Sequence, residues 1–270
     1  LHGILHSFPT RRSSDLVSLS DNENVDIITD VIEMSETRTE ETDRISCEEE
    51  ERVSQGYTIK TFFTVPAGIQ TIKTCLVKND SDDFLKLQFI PTAQLVDINY
   101  KWKRTKEDGF LMGMTSGFWK KEKALESENP NEEMRRIKLF TYNTADALYI
   151  QPIKALGLVP NGVITFQYAI KRAIEQLFQI ESNEIGVSLM GDEEQPNIFL
   201  YESAEGSLGV LSQIVEDSSI FIKLIHLAIE ICRFENEEDI RPATYDDLLS
   251  YYNQYNHDKI DRFLIKEALE

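Results

Sequence analysis

Cysteine is scarce in this chain. Three residues, Cys47, Cys75 and Cys232, stand far apart in 270 positions. They make no disulfide framework and point to a reducing compartment, with the cytoplasm as the expected location. Long apolar runs are lacking too. No stretch approaches the roughly 18 residues of a membrane-crossing helix, and no apolar targeting segment with a cleavage site is found. No membrane partner is expected. Positive charge is in deficit: 28 Lys and Arg against 47 Asp and Glu leave a net −19. That balance excludes a broadly basic surface of the kind that coats DNA or lipid.

The charge that is present is unevenly placed. Between Val17 and Ser54 there are 13 acids and 3 bases, a net of −10. This segment is poor in apolar residues and is expected to be a disordered or loosely helical acidic linker. Upstream, His6 to Leu16 reads His-Ser-Phe-Pro-Thr-Arg-Arg-Ser-Ser-Asp-Leu. It resembles the conceptual translation of a sequencing adapter, so residues 1–16 are expected to be foreign to the protein. The chain is then expected to be a fragment of a longer product. Asp261 to Glu270, an amphipathic helix without a stop signal, fits a chain that ends within an element.

Hydrophobic content of 41% allows a substantial core. The pattern predicts an α+β fold, with an antiparallel β-rich half over 55–155 packed on an α/β unit over 156–270. Tyr57 to Val65, Thr71 to Val77, Leu85 to Phe89 and Leu95 to Trp102 read as short strands separated by turns. Ile137 to Tyr142 and Asp146 to Pro152 read as two more. Glycines at Gly109, Gly113 and Gly117 mark bends among aromatics. Downstream, Phe166, Ala169, Ile170, Ala173, Ile174, Leu177 and Phe178 form the ladder of an amphipathic helix that follows Pro160-Asn161-Gly162. A strand over Glu184–Met190 comes next. Asp217 is expected to cap a helix over Ile220–Cys232. Thr244 and Asp247 have capping-box spacing for a helix through Tyr252, and Asp258 is expected to open the last helix.

The second half is organised around Asn197 to Leu211. A strand, Ile198-Phe199-Leu200-Tyr201, runs into a loop holding Glu202, Glu205, Gly206 and Gly209, and then into a helix. A helix N-terminus attracts phosphate, but two carboxylates there would repel one. The favoured reading is that the glycines permit the turn and close packing while the acids cap helix donors. A metal-dependent hydrolase using Glu202 and Glu205 is the alternative. A second candidate site is the basic cluster Lys101, Lys103, Arg104 and Lys106, interleaved with Tyr100 and Trp102 and extended by Lys120, Lys121 and Lys123. Cations with aromatics suit single-stranded nucleic acid; a solvated strand edge guarded by lysines explains the same residues.

Taken in order, several motifs resemble the MrfA-like zinc-binding domain of the C-terminal region of superfamily-two helicases. They are Ile98-Asn99-Tyr100-Lys101-Trp102 with Gly109-Phe110 and Gly117-Phe118-Trp119; Thr144-Ala145-Asp146-Ala147-Leu148; Ile198-Phe199-Leu200-Tyr201-Glu202 with Glu205-Gly206 and Gly209-Val210-Leu211; and Ala243 to Tyr251 with His257 to Arg262. The resemblance implies the tail of a DNA-processing ATPase of DNA repair or phage defence. Its implied partners are upstream motor lobes, DNA and a partner subunit. No Gly-x-x-x-x-Gly-Lys-Ser/Thr loop and no Asp-Glu-x-His box occurs in the chain, so this piece alone is expected neither to hydrolyse ATP nor to unwind DNA. It is read as a non-catalytic accessory domain, or else as an interaction scaffold. The family places four zinc-binding cysteines near its end; here Cys232, Phe234, Thr244 and Asp247 fall at those positions. The resemblance therefore implies a degenerate zinc site filled by packing of Phe234, Tyr245 and Leu248, with no cofactor expected and only residual metal affinity at Cys232, Asp247 and His257.

Overall fold

The computed structural model describes residues 28, 30–34, 56–65, 72–78, 82–102, 105–119, 132–153, 157–191, 194–203, 207–236 and 238–270. Residues 1–16, most of the acidic segment 17–54, Lys103, Arg104, Lys120, Lys121, Lys123, Glu205 and Gly206 lie outside them. The fold is mixed α+β. Its strands are β1 (Val31–Glu33), β2 (Tyr57–Thr64), β3 (Lys73–Lys78), β4 (Asp83–Trp102), β5 (Phe110–Gly113), β6 (Met134–Pro152), β7 (Ile185–Gly191) and β8 (Pro196–Glu202). Its helices are α1 (Pro160–Phe178), α2 (Val210–Glu216), α3 (Ser218–Cys232) and α4 (Lys266–Leu269), with 3-10 turns at Tyr251–Asn256 and Arg262–Ile265. The chain forms two compact units, Leu1–Thr64 with Gln94–Asn143, and Val65–Ala93 with Thr144–Glu270. These differ from the contiguous segments 55–155 and 156–270, because β4 and β6 each run through both units.

In the first unit β2 lies antiparallel to β4, from Tyr57 opposite Trp102 to Thr64 opposite Gln94, with a bulge between Thr58 and Ile59. β5 pairs antiparallel with β6, placing Phe110 opposite Ile137. β1 adds to β6 in parallel. That strand falls within 17–54, the segment read from the sequence as a disordered or loosely helical acidic linker; Val31 and Ile32 are β-branched residues suited to a pleated surface.

In the second unit β3 pairs with β4, and β6, β8 and β7 follow one another as antiparallel neighbours. β8 is buried from Pro196 to Leu200, so it reads as a continuous apolar run rather than an alternating one. α1 begins with Pro160 in its first turn, one turn earlier than the sequence suggested, because proline's fixed φ suits that position and its missing N–H costs nothing there. Phe166, Ala169, Ile170, Ala173 and Ile174 meet Leu148, Ile150, Ile198, Leu200, Leu224 and Ala228 in one core. Each fully buried large side chain of that set contributes roughly 1.5–3 kcal/mol.

Four further boundaries differ from the sequence reading. The pieces Leu85–Phe89 and Leu95–Trp102 are one strand, as are Ile137–Tyr142 and Asp146–Pro152. The chain crosses Pro91 without a break because Thr92 takes a left-handed turn, φ 52°, and its N–H is received by the Asp146 carboxylate at 2.8 Å. The helix expected to follow Thr244 is a turn, and the 3-10 segment after it is boxed by Ser250 and Asn253 instead. The closing segment is opened by Asp261, whose carboxylate accepts the Phe263 N–H, and not by Asp258.

Candidate functional site

At the end of β8 the Glu202 carboxylate turns inward under the start of α2. Its Oε1 accepts the Val210 and Leu211 N–H groups at 2.8 and 2.9 Å. Its Oε2 accepts the Leu208 and Gly209 N–H groups and the Ser207 hydroxyl, the last at 2.7 Å. One buried side chain thus satisfies the orphan donors of a helix start and sets negative charge at its positive end. Gly209, with φ 66°, supplies the left-handed residue before the helix. Asp146 joins the group through Ser207 Oγ at 2.6 Å. Both Glu202 oxygens are engaged by protein donors. That arrangement suits a cap and leaves them poorly placed for a metal or a phosphate.

The basic cluster is more divided than the sequence suggests. Lys101 is half-buried, pairs with Asp108 at 3.0 Å and donates to the Lys106 carbonyl at 3.1 Å. Lys106 is exposed. Trp102 is 47% exposed and stacks on Tyr57 at 4.4 Å between ring centroids. Tyr100, two residues away on the same strand, lies beneath the Lys60 and Lys138 ammonium groups at 5.1 and 5.6 Å. Tyr57, Lys60 and Lys138 escaped the sequence reading because strand pairing, not proximity in the chain, brings them to Trp102 and Tyr100.

At the end of α3 the four positions singled out by the resemblance do come near one another. Phe234 and Leu248 are buried beside Cys232 in the core. Thr244 donates its N–H and its hydroxyl to the Asp247 carboxylate, both at 2.6 Å. Asp247 also receives the Leu248 N–H. Burial, then the nearby Asp247 charge, push the Cys232 thiol up to about 12, against a smaller pull from Arg262. Tyr245 departs from expectation: it stands exposed, edge-on to His257 at 5.6 Å, and does not fill the interior. A phenol at that depth would need a partner for its hydroxyl. His257 turns its Nε2 to the Asn253 Oδ1 at 2.9 Å and the Ser250 carbonyl at 3.1 Å, away from a shared site with Cys232 and Asp247.

The interior is closed instead by Arg262, the last residue of the closing motif, whose burial no sequence signal marked. Its side chain is fully buried. It donates from Nη1 to the Cys232 carbonyl at 2.8 Å and from Nη2 to the Asp239 carbonyl. Asp239 is itself held below the ordinary carboxylate range, chiefly by hydrogen bonds from Arg241.

The class so defined is a mixed α+β module. Residues 166–236 match the family model of the MrfA Zn-binding domain, so that stretch carries the family's signature. No curated protein matches the chain. The solved structures that resemble it include two of one helicase. One is the DUF1998 helicase MrfA bound to DNA, 11% identical, TM-score 0.39, with 72% of this chain and 23% of that chain covered. The other is the same helicase bound to DNA and AMPPNP, 11% identical, TM-score 0.26, with 64% and 19% covered. The chain therefore spans about a quarter of the length of the first.

Zinc needs four close ligands, mostly thiolate or imidazole. Of the four positions Phe234 has no donor atom, the Thr244 hydroxyl is committed to Asp247, and the Asp247 oxygens are taken up by N–H and O–H groups. Among the described residues no three His, Cys, Asp or Glu side chains gather as a metal site. The residues at these four positions do not fit the ion.

Proposed function

We propose that this chain is a non-catalytic, helicase-associated module that holds DNA beside motor lobes lying elsewhere in its parent protein. The match of residues 166–236 to the MrfA Zn-binding domain supports the helicase-associated class. The observation that carries the DNA contact is Trp102, exposed and stacked on Tyr57, within the run Lys101, Lys103, Arg104 and Lys106. Phosphates would meet the cations while bases meet the ring, a combination suited to nucleic acid held without regard to sequence. The parent is proposed to be an ATP-dependent DNA helicase acting in the cytoplasm in repair or phage defence. Glu202 and Gly209 are assigned to building the β8–α2 junction and not to chemistry. Cys232, Phe234, Thr244 and Asp247 are assigned to a metal-free remnant of a zinc site.

A salt-dependent DNA titration tests the reading. Lys101→Glu, Lys103→Glu and Arg104→Glu together should weaken binding and flatten its salt dependence. Absent binding, or binding unchanged by the triple variant, removes the DNA role. A scaffold reading has its own support in Tyr251, Tyr252 and Tyr255, which stand exposed along one 3-10 segment as a surface for a partner subunit. Loss of partner capture with DNA binding intact, on changing Tyr251 and Tyr252 to Ser, would favour it.

A further inference from the structure

We propose that the ring cluster of the first compact unit is a stacking platform for the unpaired bases of a single-stranded nucleic acid, a refinement that rests on the DNA-holding role above. Phe110 is the hub. It is buried, and Tyr57, Trp102 and Trp119 stand edge-on around it with centroids 6.1, 6.0 and 6.1 Å away. Trp119 is pinned further by a main-chain bridge to Met112. The rings already pack on one another without a ligand, an arrangement that lowers the ordering cost of binding. They nevertheless remain in water: Trp102 and Trp119 are about half exposed, and Phe118, beside them, is 70% exposed. A contiguous exposed patch of this kind marks a binding surface, and aromatic faces accept any base.

The local charge selects the occupant. In a chain of net charge −19, the stretch from Ile98 to Lys123 holds seven Lys and Arg against three acids. Lys60 and Lys138 add ammonium groups at the Tyr100 ring. A polyanion with free bases matches cations and rings together. A duplex keeps its bases stacked inside and offers only phosphates to such a surface.

Trp102 and Trp119 are the chain's two tryptophans, so selectively excited tryptophan emission reads this surface alone. Full-length chain is titrated with a short oligo-dT strand and with a duplex of equal length. The strand should quench saturably and the duplex weakly. Phe118→Ala and Tyr57→Ala should each weaken strand binding about ten-fold with circular dichroism unchanged. Equal quenching by the duplex, or full binding in both variants, overturns the platform and leaves the DNA role resting on charge. Absence of binding to either nucleic acid sinks both. Quenching that follows protein concentration without nucleic acid reassigns the rings to a protein contact and also overturns the platform.

On the second unit, and independently, the geometry points to Arg262 as the internal cation that ties together segments a metal would tie in the zinc-binding relatives. Its guanidinium joins the last turn of α3, through the Cys232 carbonyl, to the loop at Asp239. The Asp239 carboxylate lies 3.8 Å away, and the Arg262 N–H binds the Pro242 carbonyl at 2.9 Å. A planar fork with five donors can serve several carbonyls at once, as a tetrahedral ion serves several thiolates. Thermal unfolding of the full chain should then be unmoved by a strong zinc chelator, while Arg262→Met lowers Tm by several degrees and Arg262→Lys by less. If Arg262→Met does not fold, chelator insensitivity and zinc analysis of the unaltered chain still decide. Stoichiometric zinc whose removal lowers Tm, or an Arg262→Met chain as stable as the parent, overturns the assignment.

Discussion

Replacing Glu202 by Gln tests the β8–α2 junction most sharply. The substitution keeps size and shape and removes one negative charge. It also turns one oxygen into an NH2 group that must face N–H donors. With the amide oriented either way, a pair of main-chain donors is left facing hydrogens: Val210 and Leu211, or Leu208 and Gly209. Each buried donor left without an acceptor costs about 1–3 kcal/mol, and the lost charge at the helix start costs about 0.5–1 kcal/mol more. The expected destabilisation is therefore ~2.5–7 kcal/mol. Urea unfolding should show the midpoint lowered by at least ~1 M with the slope unchanged, and hydrogen exchange should show lost protection at Val210 and Leu211. A loss under ~1 kcal/mol, or intact protection at those two amides, would refute the idea that one carboxylate holds this helix start.

Three other outcomes are expected. Burial raises both the Cys232 thiol and the Tyr149 phenol to about 12. Both groups stay protonated in the fold while the unfolded chain ionises them earlier, so stability is complete below about pH 9 and falls as pH rises toward 12. Unfolding free energy measured across that range, with Cys232→Ala flattening part of the slope, checks it. Gly186→Ala would drive a methyl group into the Tyr201 ring and should cost about 1–3 kcal/mol. In a Tyr201→Ala background the further loss should vanish, which a double-mutant cycle measures. Thr92→Gly should raise stability by about 0.5–1 kcal/mol, because a β-branched residue is strained at φ 52°. A calorimetric loss would contradict that.

Elements with a strong local signal were legible in the sequence. The apolar ladder from Phe166 to Phe178 specified both a helix and its buried face. The run Ile198 to Tyr201 specified a buried strand, and Asp217 was readable as a cap. Continuity through Pro91 was not legible, since proline and the turn-like residues near it suggest an end, and only the distant Asp146 carboxylate explains why the strand goes on. Glu202 was recognisable as one of two acids in a turn, but its donors lie six to nine residues ahead, outside the spacing of a local cap. Tyr57 and Trp119 reach Trp102 and Phe110 only through sheet register and a turn. Arg262 looked like one more charge on an amphipathic closing helix; its burial depends on carbonyls 30 and 23 residues away.

The smallness of α2 has a consequence for the order of assembly. Seven residues with no acid in the first turn are too few to nucleate a helix unaided. Its start is organised by a side chain carried on β8, which is itself flanked by β6 and β7. The helix must therefore wait for the strand, and the segment that leads from the sheet to α3 takes shape late, as a dependant of pairing already complete.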